Sequence, residues 1–576
     1  MANIIVDQKS VKELFSAKKA DFLIPDYQRP YAWTKTECLT LWDDLFEFSF
    51  PDDDCDAFDT NDEYFLGPIV TFKNEEGKQE IIDGQQRLTT LTLLLRAFYE
   101  KYGNMHSDKA HKTAVFIEQC LWKTDEFGDP DKEQLKILSE VATDADRDEF
   151  MSILKCGNAE GMNSRYAVNY RVFQERIQEF QNHYPDYFSN FPIRILQNCI
   201  LLPIEAESQD TALRIFSTLN DRGLPLSDAD IFKAQFYKYY KGNGKKDEFI
   251  EKWKNLEVLC NDLFPSSGSP MDELFTRYMY FERAKKGMKG STTEALRKFY
   301  ERDGYAILKN PETMPNLIEL ANFWKDVLNQ NDRFSEKILR RLFVLQYAPN
   351  GMWTYFLSVY FMANKDDECN LDEDKLYEFL NRIIGFIWAY AVWNPGVNAL
   401  RTPVYAEMLN IVNHKDVTFG DYKLDRNSVE TSFKNYAFTN QRAMTRSMLA
   451  WWAFTDDSQP FLSLETVLEI EHIYAKNRYE NEGNLGDAKN VESLGNKALL
   501  EKRINIRASD YRYADKTKYY LGYTNPKGQV KEGTNIKELR DMATNLADFT
   551  EQEIIHRQDA IIDGFMAYLD AEGLLK

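Results

Sequence analysis

The stretch KQEIIDGQQRLTTLTLLLRAFYE, residues 78–100, decides the fold of the N-terminal part of the chain. It opens with a short β-branched run that ends at an Asp-Gly pair. Apolar side chains then recur at Leu88, Leu91 and Leu95, which is the spacing of one face of an α-helix. The stretch therefore predicts a strand, a tight turn and a helix, in that order.

The turn between this strand and this helix is a candidate binding site. A helix N-terminus presents free backbone N–H groups and the positive end of the helix dipole, which suits a polyphosphate. The residues that would supply the acid, the donors and the cation are Asp83, Gly84, Gln85, Gln86 and Arg87. An ordinary structural turn stays open as the alternative, because Asp-Gly turns are common before helices and no Walker or GxGxxG pattern is present.

Length and composition restrict the class of protein. A chain of 576 residues exceeds what one hydrophobic core accommodates, so we expect two or three domains. The N-terminus lacks the order of a secretory signal, and the longest apolar stretch, residues 383–393, is too short to cross a bilayer. Seven scattered cysteines without a CxxC pair fit reduced thiols. We therefore expect a cytoplasmic protein with no membrane span.

The net charge of −21 argues against a surface that attracts nucleic acid everywhere. The charge is nevertheless unevenly distributed, because residues 491–540 contain eleven basic and six acidic side chains. A protein that acts on DNA would need such a local basic segment. Any DNA contact is thus expected in the C-terminal part.

Apolar periodicity indicates an α+β protein that is predominantly helical. Strand-like and helix-like runs alternate over the first 100 residues or so, and helical patterns follow from about 110 to 200 and from about 245 to 450. Two β-like runs, residues 462–474 and 493–506, precede a final helical segment. We predict three domains with the boundaries 1–240, 241–440 and 441–576.

The two C-terminal β-like runs carry a set of polar residues that suits a metal-dependent nuclease. Imidazole near neutral pKa can take a proton from water, and hard divalent cations prefer oxygen ligands. His472 would be the general base, Glu471 and Asn505 metal ligands, and Asn496 would brace the loop and the histidine. If only these residue types are considered, an ordinary Glu-His pair on the protein surface stays open as the alternative to a nuclease site.

Two further N-terminal motifs accompany the Asp-Gly turn. Gln28 and Arg29 follow Tyr27 between two prolines, where a rigid entry turn is the simplest interpretation. In the stretch FSTLNDRGLPLSDADIF, residues 216–232, Ser227 is spaced to cap the next helix, while Asn220 and Arg222 remain able to bind a ligand.

Taken together, the N-terminal motifs resemble the GmrS-type domain, a ParB and sulfiredoxin-like fold that binds and hydrolyses nucleoside triphosphates. The resemblance covers about residues 10–240 and rests on IPDYQRPYAW (24–33), FLGPIV (65–70), IIDGQQRLTTL (81–91) and LNDRGLPLSDADIFKA (219–234). It implies a site for GTP, ATP or another nucleoside triphosphate that contains Asp83, Gly84, Gln85, Gln86 and Arg87, with Gln28 and Arg29 as neighbours.

The C-terminal stretches resemble the GmrD-type HNH nuclease domain, which has a ββα-metal fold. They are LEIEHIYAKN (468–477), the segment from SLGN to YYLG (493–522) and FTEQEIIHRQDAIID (549–563). Tyr474 and Ala475 stand where that family usually has a proline soon after the histidine, and Asp510 stands where it often has asparagine. The resemblance implies Mg²⁺ or Mn²⁺ as the metal.

The whole chain therefore resembles GmrSD-type single-chain restriction enzymes, and it is also similar in architecture to SspE-type phosphorothioate-sensing nucleases. The expected function is nucleotide-regulated cutting or nicking of foreign DNA, either modified or from phage, in anti-phage defence. The sequence leaves open whether the protein forms a homo-oligomer. The alternative is a nucleotide-dependent DNA-binding sensor or adaptor whose HNH module does not cleave.

Overall fold

A computed structural model describes residues 4–141, 144–185, 187–219, 227–291 and 294–576. The chain divides into two units, Met1–Asn255 and Leu256–Lys576. As predicted, the protein is α+β and predominantly helical. The predicted boundaries at residues 240 and 440 stay predictions.

A mixed sheet lies at the centre of the first unit. Its order over the described residues is β1-β9-β4-β5-β3-β8, with β2 also paired to β9. The β4–β9, β3–β5 and β3–β8 pairs are parallel, and the remaining pairs are antiparallel. The strands of this unit are β1 (Ile4–Val6), β2 (Lys9–Ser10), β3 (Phe22–Ile24), β4 (Tyr64–Lys73), β5 (Gln79–Asp83), β6 (Trp122–Thr124), β7 (Pro130–Leu135), β8 (Ile137–Ser139) and β9 (Cys199–Ala206).

Helices cover this sheet and bury its apolar side chains. The predicted strand, turn and helix are present as β5 and α3, and Leu88, Leu91 and Leu95 of α3 are fully buried. Ser227 caps α9 in a capping box with Asp230, as its spacing predicts. The helices of this unit are α1 (Val11–Ser16), α2 (Lys35–Ser49), α3 (Gln85–Tyr102), α4 (Asp108–Leu121), α5 (Arg147–Cys156), α6 (Arg165–His183), α7 (Phe191–Asn198), α8 (Gln209–Leu219) and α9 (Asp228–Gly242), and α10 (Lys246–Leu263) begins in this unit and continues past Asn255.

The expectation of continuous helix from about 110 to 200 is wrong for residues 122–139. This segment forms the β6–β7 hairpin and then β8, which joins the central sheet. Gly128 makes the hairpin turn possible, since its φ of 90° is strained for residues with a side chain. The strand pattern was hidden because β7 is mostly exposed and carries charged residues on both faces.

The second unit begins with a scaffold of packed helices. The apolar stretch 383–393 lies within α17, where it is largely buried, as predicted. Trp388 is fully buried there and donates a hydrogen bond to the Ser447 carbonyl at 2.9 Å. The scaffold helices are α11 (Pro270–Lys285), α12 (Leu296–Tyr300), α13 (Arg302–Tyr305), α14 (Thr313–Leu328), α15 (Glu336–Leu345), α16 (Met352–Asn364), α17 (Glu373–Trp393), α18 (Val397–Val412), α19 (Arg426–Asn435) and α20 (Ala443–Thr455).

The end of the second unit holds two short antiparallel hairpins and five helices among the described residues. Both predicted β-like runs contain a strand, but each strand is shorter than its run, and residues 502–508 are helical. The elements are β10 (Leu468–His472), α21 (Lys476–Glu482), β11 (Lys497–Glu501), α22 (Lys502–Ala508), α23 (Tyr513–Leu521), β12 (Gly522–Thr524), β13 (Val530–Glu532), α24 (Lys537–Asn545) and α25 (Glu551–Ala571).

Two general expectations can be compared with the described residues. All seven cysteines are free, which agrees with the prediction of reduced thiols. No helix within the described ranges combines the length and the apolar character needed to cross a membrane.

Gly84→Ala should destabilise the first unit more than Gly77→Ala. Both glycines have left-handed φ values, 89° and 80°, so both substitutions carry a backbone strain of about 1–2 kcal/mol. A Cβ at residue 84 would also lie 3.1 Å from Cγ1 of Ile69, whereas a Cβ at residue 77 meets nothing within 4 Å. Overpacking should add about 1–3 kcal/mol at residue 84. Chemical denaturation of the full-length chain measures both losses, and equal losses would contradict the packing argument.

Candidate active site

The β10–β11 ladder sets the directions of the two adjacent candidate residues. Glu471 pairs with Ala498 and His472 with Lys497. Because successive side chains of a strand point to opposite faces, the carboxylate and the imidazole enter different surroundings. Glu471 is 4% exposed, and the His472 side chain is 18% exposed at the strand end.

The Glu471 carboxylate is bound by helix α23. Lys516 Nζ lies 2.7 Å from Glu471 Oε1, and the Tyr520 hydroxyl donates to the same oxygen at 2.6 Å. Lys516 also donates to the His472 carbonyl at 2.6 Å. Burial raises the pKa of Glu471, and the Lys516 ammonium opposes that shift. Sequence reasoning missed both partners, although their spacing of four residues could have placed them on one helix face.

The His472 imidazole is half-buried, and its buried Nε2 is close to a second carboxylate. Its Nε2 makes no hydrogen bond and lies 3.5 Å from Oε2 of Glu492. Burial lowers the pKa of His472, and the negative charge of Glu492 opposes that shift. The ring is therefore favoured in its neutral form, which can accept a proton.

Glu492 is held as an anion by a buried lysine. Lys497 Nζ donates to Glu492 Oε2 at 2.8 Å and to the Phe438 carbonyl at 2.7 Å, and the Lys497 side chain has no solvent exposure. Partial burial acts to raise the pKa of Glu492, but the hydrogen bond and charge of Lys497 prevail and lower it to about 2. Sequence reasoning did not find Glu492, because it lies on the connection between the strands.

Asn496 fastens the chain that follows His472. Its Oδ1 accepts the Tyr474 N–H at 2.7 Å, and its Nδ2 donates to the carbonyls of Tyr474 and Val491 at 3.0 and 2.9 Å. The Ile473 N–H donates to the Asn496 carbonyl at 2.9 Å. The residue lies in a 3-10 turn just before β11 rather than within the strand.

Helix α25 holds the turn that carries Asn496. Arg557 NH1 donates to the carbonyls of Leu494, Gly495 and Lys497 at 3.2, 2.9 and 2.7 Å. The same guanidinium makes two hydrogen bonds, of 2.7 and 2.8 Å, with the Glu538 carboxylate. This bidentate ion pair fixes the orientation of the guanidinium against the turn.

Asn505 lies on α22, on the same side of β10 as Glu471. Its Nδ2 donates to Glu469 Oε2 at 2.9 Å, and Glu469 shares a strand face with Glu471 because the two residues are two positions apart. The amide nitrogen is thereby turned to Glu469, and Oδ1 is left as the atom that could ligate a cation. The structure thus places Glu471 and Asn505 on one face of β10, and His472, at the end of the strand, on the opposite face.

The donor set is compatible with a hard divalent cation. Both hydrogen bonds of Glu471 end on Oε1, so Oε2 and Asn505 Oδ1 are the candidate ligand atoms. The described residues contain no group of three or more His, Cys, Asp or Glu that could hold a metal by themselves. Mg²⁺ often binds through one or two protein oxygens together with water and substrate phosphate, so the two oxygens fit it.

The Asp-Gly turn of the first unit places an acid beside a helix N-terminus. Asp83 ends β5, and Gly84 is the N-cap of α3. Burial raises the pKa of Asp83, while the Gly84 N–H and the charges of Arg87 and Arg29 oppose that shift. Arg87 also donates to the Pro68 carbonyl at 2.9 Å. The structure therefore brings these two arginines near Asp83.

The three predicted glutamines bind main-chain groups. Gln86 Oε1 accepts the Ala32 N–H at 2.7 Å, and its Nε2 donates to the Pro30 carbonyl at 3.2 Å. Gln28 Nε2 lies 3.2 and 3.3 Å from the carbonyls of residues 81 and 82, and Gln85 Nε2 lies 3.4 Å from the carbonyl of residue 29. These amides connect the two N-terminal motifs to each other. Asn220 and Arg222 lie outside the described residues.

Comparison with known families identifies both an N-terminal and a C-terminal part of the chain. Residues 11–237 match the GmrSD restriction endonuclease N-terminal domain, and residues 420–563 match the GmrSD restriction endonuclease C-terminal domain. The chain belongs to the GmrSD restriction endonuclease family. The predicted resemblance is confirmed, and this GmrSD protein is a nuclease of the restriction type with DNA as its substrate. No curated protein matches the chain.

Gly495→Ala should disrupt the turn that carries Asn496. A Cβ at residue 495 would overlap the Ile554 carbonyl oxygen of α25, and this backbone atom cannot swing away as a side chain could. We expect a loss of about 1–3 kcal/mol or more in the unfolding free energy of the second unit. Gly351→Ala is the control, because a Cβ there meets nothing within 4 Å. Chemical denaturation measures both variants, and a silent Gly495→Ala would refute the close approach of α25.

Proposed function

We propose that the C-terminal part of this GmrSD protein is an HNH endonuclease of the ββα-metal fold. The observation that carries the proposal is the order β10, β11, α22. His472, whose pKa is lowered by partial burial, follows Glu471 on the first strand, and Asn505 lies on the helix. HNH chemistry needs a base, an oxygen-bound cation and a fixed loop between the two strands. Each of these has a candidate residue.

His472 would act as the general base. In the tautomer that carries its proton on Nε2, 3.5 Å from Glu492 Oε2, Nδ1 has the lone pair and would accept a proton from water. The water oxygen then attacks phosphorus, and the bond from phosphorus to the leaving sugar oxygen breaks. Glu492 stabilises the imidazolium that forms, as an anion does in other acid–base pairs. Asn496 keeps the backbone after His472 in place through its three hydrogen bonds.

Glu471 and Asn505 would hold Mg²⁺ or Mn²⁺. The bound cation supplies positive charge that stabilises the phosphate and the leaving oxygen. The Lys516 ammonium opposes the effect of burial and favours the charged form of Glu471, which is the form a metal ligand needs. Tyr520 limits the rotation of the carboxylate through its 2.6 Å hydrogen bond.

A non-cleaving DNA-binding module is the second candidate. The Lys516 ammonium already neutralises Glu471, so the carboxylate has a cationic partner without any metal. In that case the module would bind DNA while a nucleotide at the first unit controlled its affinity. Cleavage and binding assays separate the two functions.

For the first unit we propose a ParB and sulfiredoxin-like domain that binds and hydrolyses a nucleoside triphosphate. The phosphates would lie at the N-terminus of α3, with Gly84, Gln85 and the cations of Arg87 and Arg29 around them. We further propose that the protein works in the cytoplasm and uses the nucleotide to regulate cutting of modified or phage DNA.

His472→Ala should lower the rate of DNA cleavage by about 10²–10⁴-fold, because the variant lacks the general base. Purified full-length protein would be incubated with plasmid and phage DNA in Mg²⁺ or Mn²⁺, and nicked and linear products would be quantified on gels. The control is His556→Ala, which changes an exposed histidine on α25. Unchanged cutting by His472→Ala would refute the site. DNA binding without cleavage by the wild type under all metals would favour the non-cleaving module.

Asp83→Asn should abolish hydrolysis of nucleoside triphosphate, because the substitution keeps the shape of the side chain and removes its charge. Released phosphate would be measured for each of the common triphosphates with the full-length chain. Glu126→Gln serves as the control, since this acid lies in an exposed hairpin turn. Full turnover by Asp83→Asn would place the nucleotide elsewhere.

A further inference from the structure

Three tyrosines of the second unit form a connected set of rings at its surface. The centroids of Tyr511 and Tyr519 are 5.9 Å apart with an angle of 17° between the rings, and those of Tyr519 and Tyr523 are 5.4 Å apart at 88°. Tyr511 is 50% exposed. We call this set the tyrosine ladder. Its outermost ring offers an aromatic face to solvent.

The tyrosine ladder is attached to the helix that binds the candidate metal ligand. Lys516 and Tyr520 of α23 are buried and bind Glu471. Tyr519 comes from another face of the same helix and is only half-buried. A molecule stacked on the ladder would therefore be held by the element that positions Glu471.

Burial distinguishes the ladder from tyrosines that serve the core. Tyr513 and Tyr520 lie in the same segment and have no solvent exposure. Tyr511 leaves half of its surface in water, although its ring could gain more stability from burial. Exposed aromatic rings next to basic groups are typical of surfaces that stack nucleobases.

The surroundings of the ladder are basic. From α22 to β13, residues 502–532, seven basic side chains besides the buried Lys516 stand against three acidic ones, in a protein whose net charge is −21. Lys518 Nζ lies 4.9 Å from the centroid of Tyr519. The exposed acids Asp510 and Asp515 lie in the same segment and reduce this positive charge without cancelling it. The balance of charge favours a nucleic acid strand over an acidic protein surface.

The ring spacing decides how a base could bind. Insertion between two rings requires two stacking distances of about 3.4 Å, which is roughly 7 Å. The 5.9 Å between Tyr511 and Tyr519 is too short for that. A base would therefore stack on the outer face of Tyr511, with the second ring as support.

We infer that the tyrosine ladder binds an unpaired base of the DNA strand that enters the active site. This inference rests on the proposed function, and it names the form of DNA that the nuclease prefers. A base within a duplex is covered on both faces by its neighbours, so only an extruded or single-stranded base can reach Tyr511. The protein should accordingly bind DNA with an unpaired nucleotide more tightly than fully paired DNA.

Binding of full-length protein to labelled DNA tests the ladder without cleavage. The probes are a fully paired duplex and the same duplex with one extra, unpaired 2-aminopurine, both in a chelator. Tyr511→Ala should weaken binding of the second probe about tenfold and leave the first unchanged, while Tyr511→Phe keeps the ring and the affinity. Val530→Ala is the control, since it removes a 74% exposed apolar side chain from the neighbouring hairpin. The 2-aminopurine fluorescence should be quenched by wild type and Tyr511→Phe but not by Tyr511→Ala.

Several outcomes would overturn the inference. They are equal affinity of the wild type for both probes, no binding of either probe, an equal loss on both probes in Tyr511→Ala, and unquenched fluorescence in the wild type. Failure of the proposed function appears separately, as absence of metal-dependent cleavage in a protein that still binds the unpaired base.

Discussion

The ion pair between Glu471 and Lys516 connects the strand that carries the candidate catalytic residues to helix α23. Both side chains are almost fully buried, so each charge depends on the other for its stability. Removal of one partner from such a pair typically costs about 3–5 kcal/mol, because the remaining charge is stranded away from water. Lys516 also donates to the His472 carbonyl, so one ammonium group fixes the end of the strand as well as its carboxylate. Asn496 and Asn505, the other candidate residues of the second unit, both make hydrogen bonds to residues of this strand or of the segment directly after it.

Two polar clusters surround that strand end and serve different purposes. Glu492 and Lys497 bring a stable negative charge close to the imidazole, and the connection between the strands supplies the acid. Arg557 and Asn496 instead hold backbone carbonyls and N–H groups, and they give the turn its shape. The separation matters because a catalytic side chain needs both a tuned charge environment and a backbone that is held in place.

The sequence predicted the elements that follow simple periodicity. The turn before α3, the capping box of α9 and the buried part of α17 all appear where apolar spacing and cap residues indicate them. The β6–β7 hairpin was missed because β7 is mostly exposed and has no apolar face to detect. The resemblance to GmrSD enzymes singled out Glu471, His472, Asn496 and Asn505. The side chains of Glu471 and His472 point in opposite directions because the two residues are neighbours on one strand.

The partners of these residues could not be predicted from the sequence. Lys516 lies 45 positions from Glu471 and Arg557 lies 60 from Lys497, and no local pattern relates such distant residues. Buried charges of this kind depend on tertiary packing, which decides which basic side chains of a basic segment remain exposed. Lys497 and Lys516 were counted as part of a DNA-attracting surface, yet both are buried and serve the fold.

The amide of Gln86 joins the Asp-Gly motif to the segment before α2, and it thereby couples the starts of two helices. Residues 30–33 are tied to the first turn of α3, and Thr34 directly after them caps α2. A displacement of a few tenths of an ångström at the start of α3 would therefore be transmitted to the opening of another helix. The motif therefore braces the starts of two helices through the Gln86 amide, whether or not a ligand binds beside it.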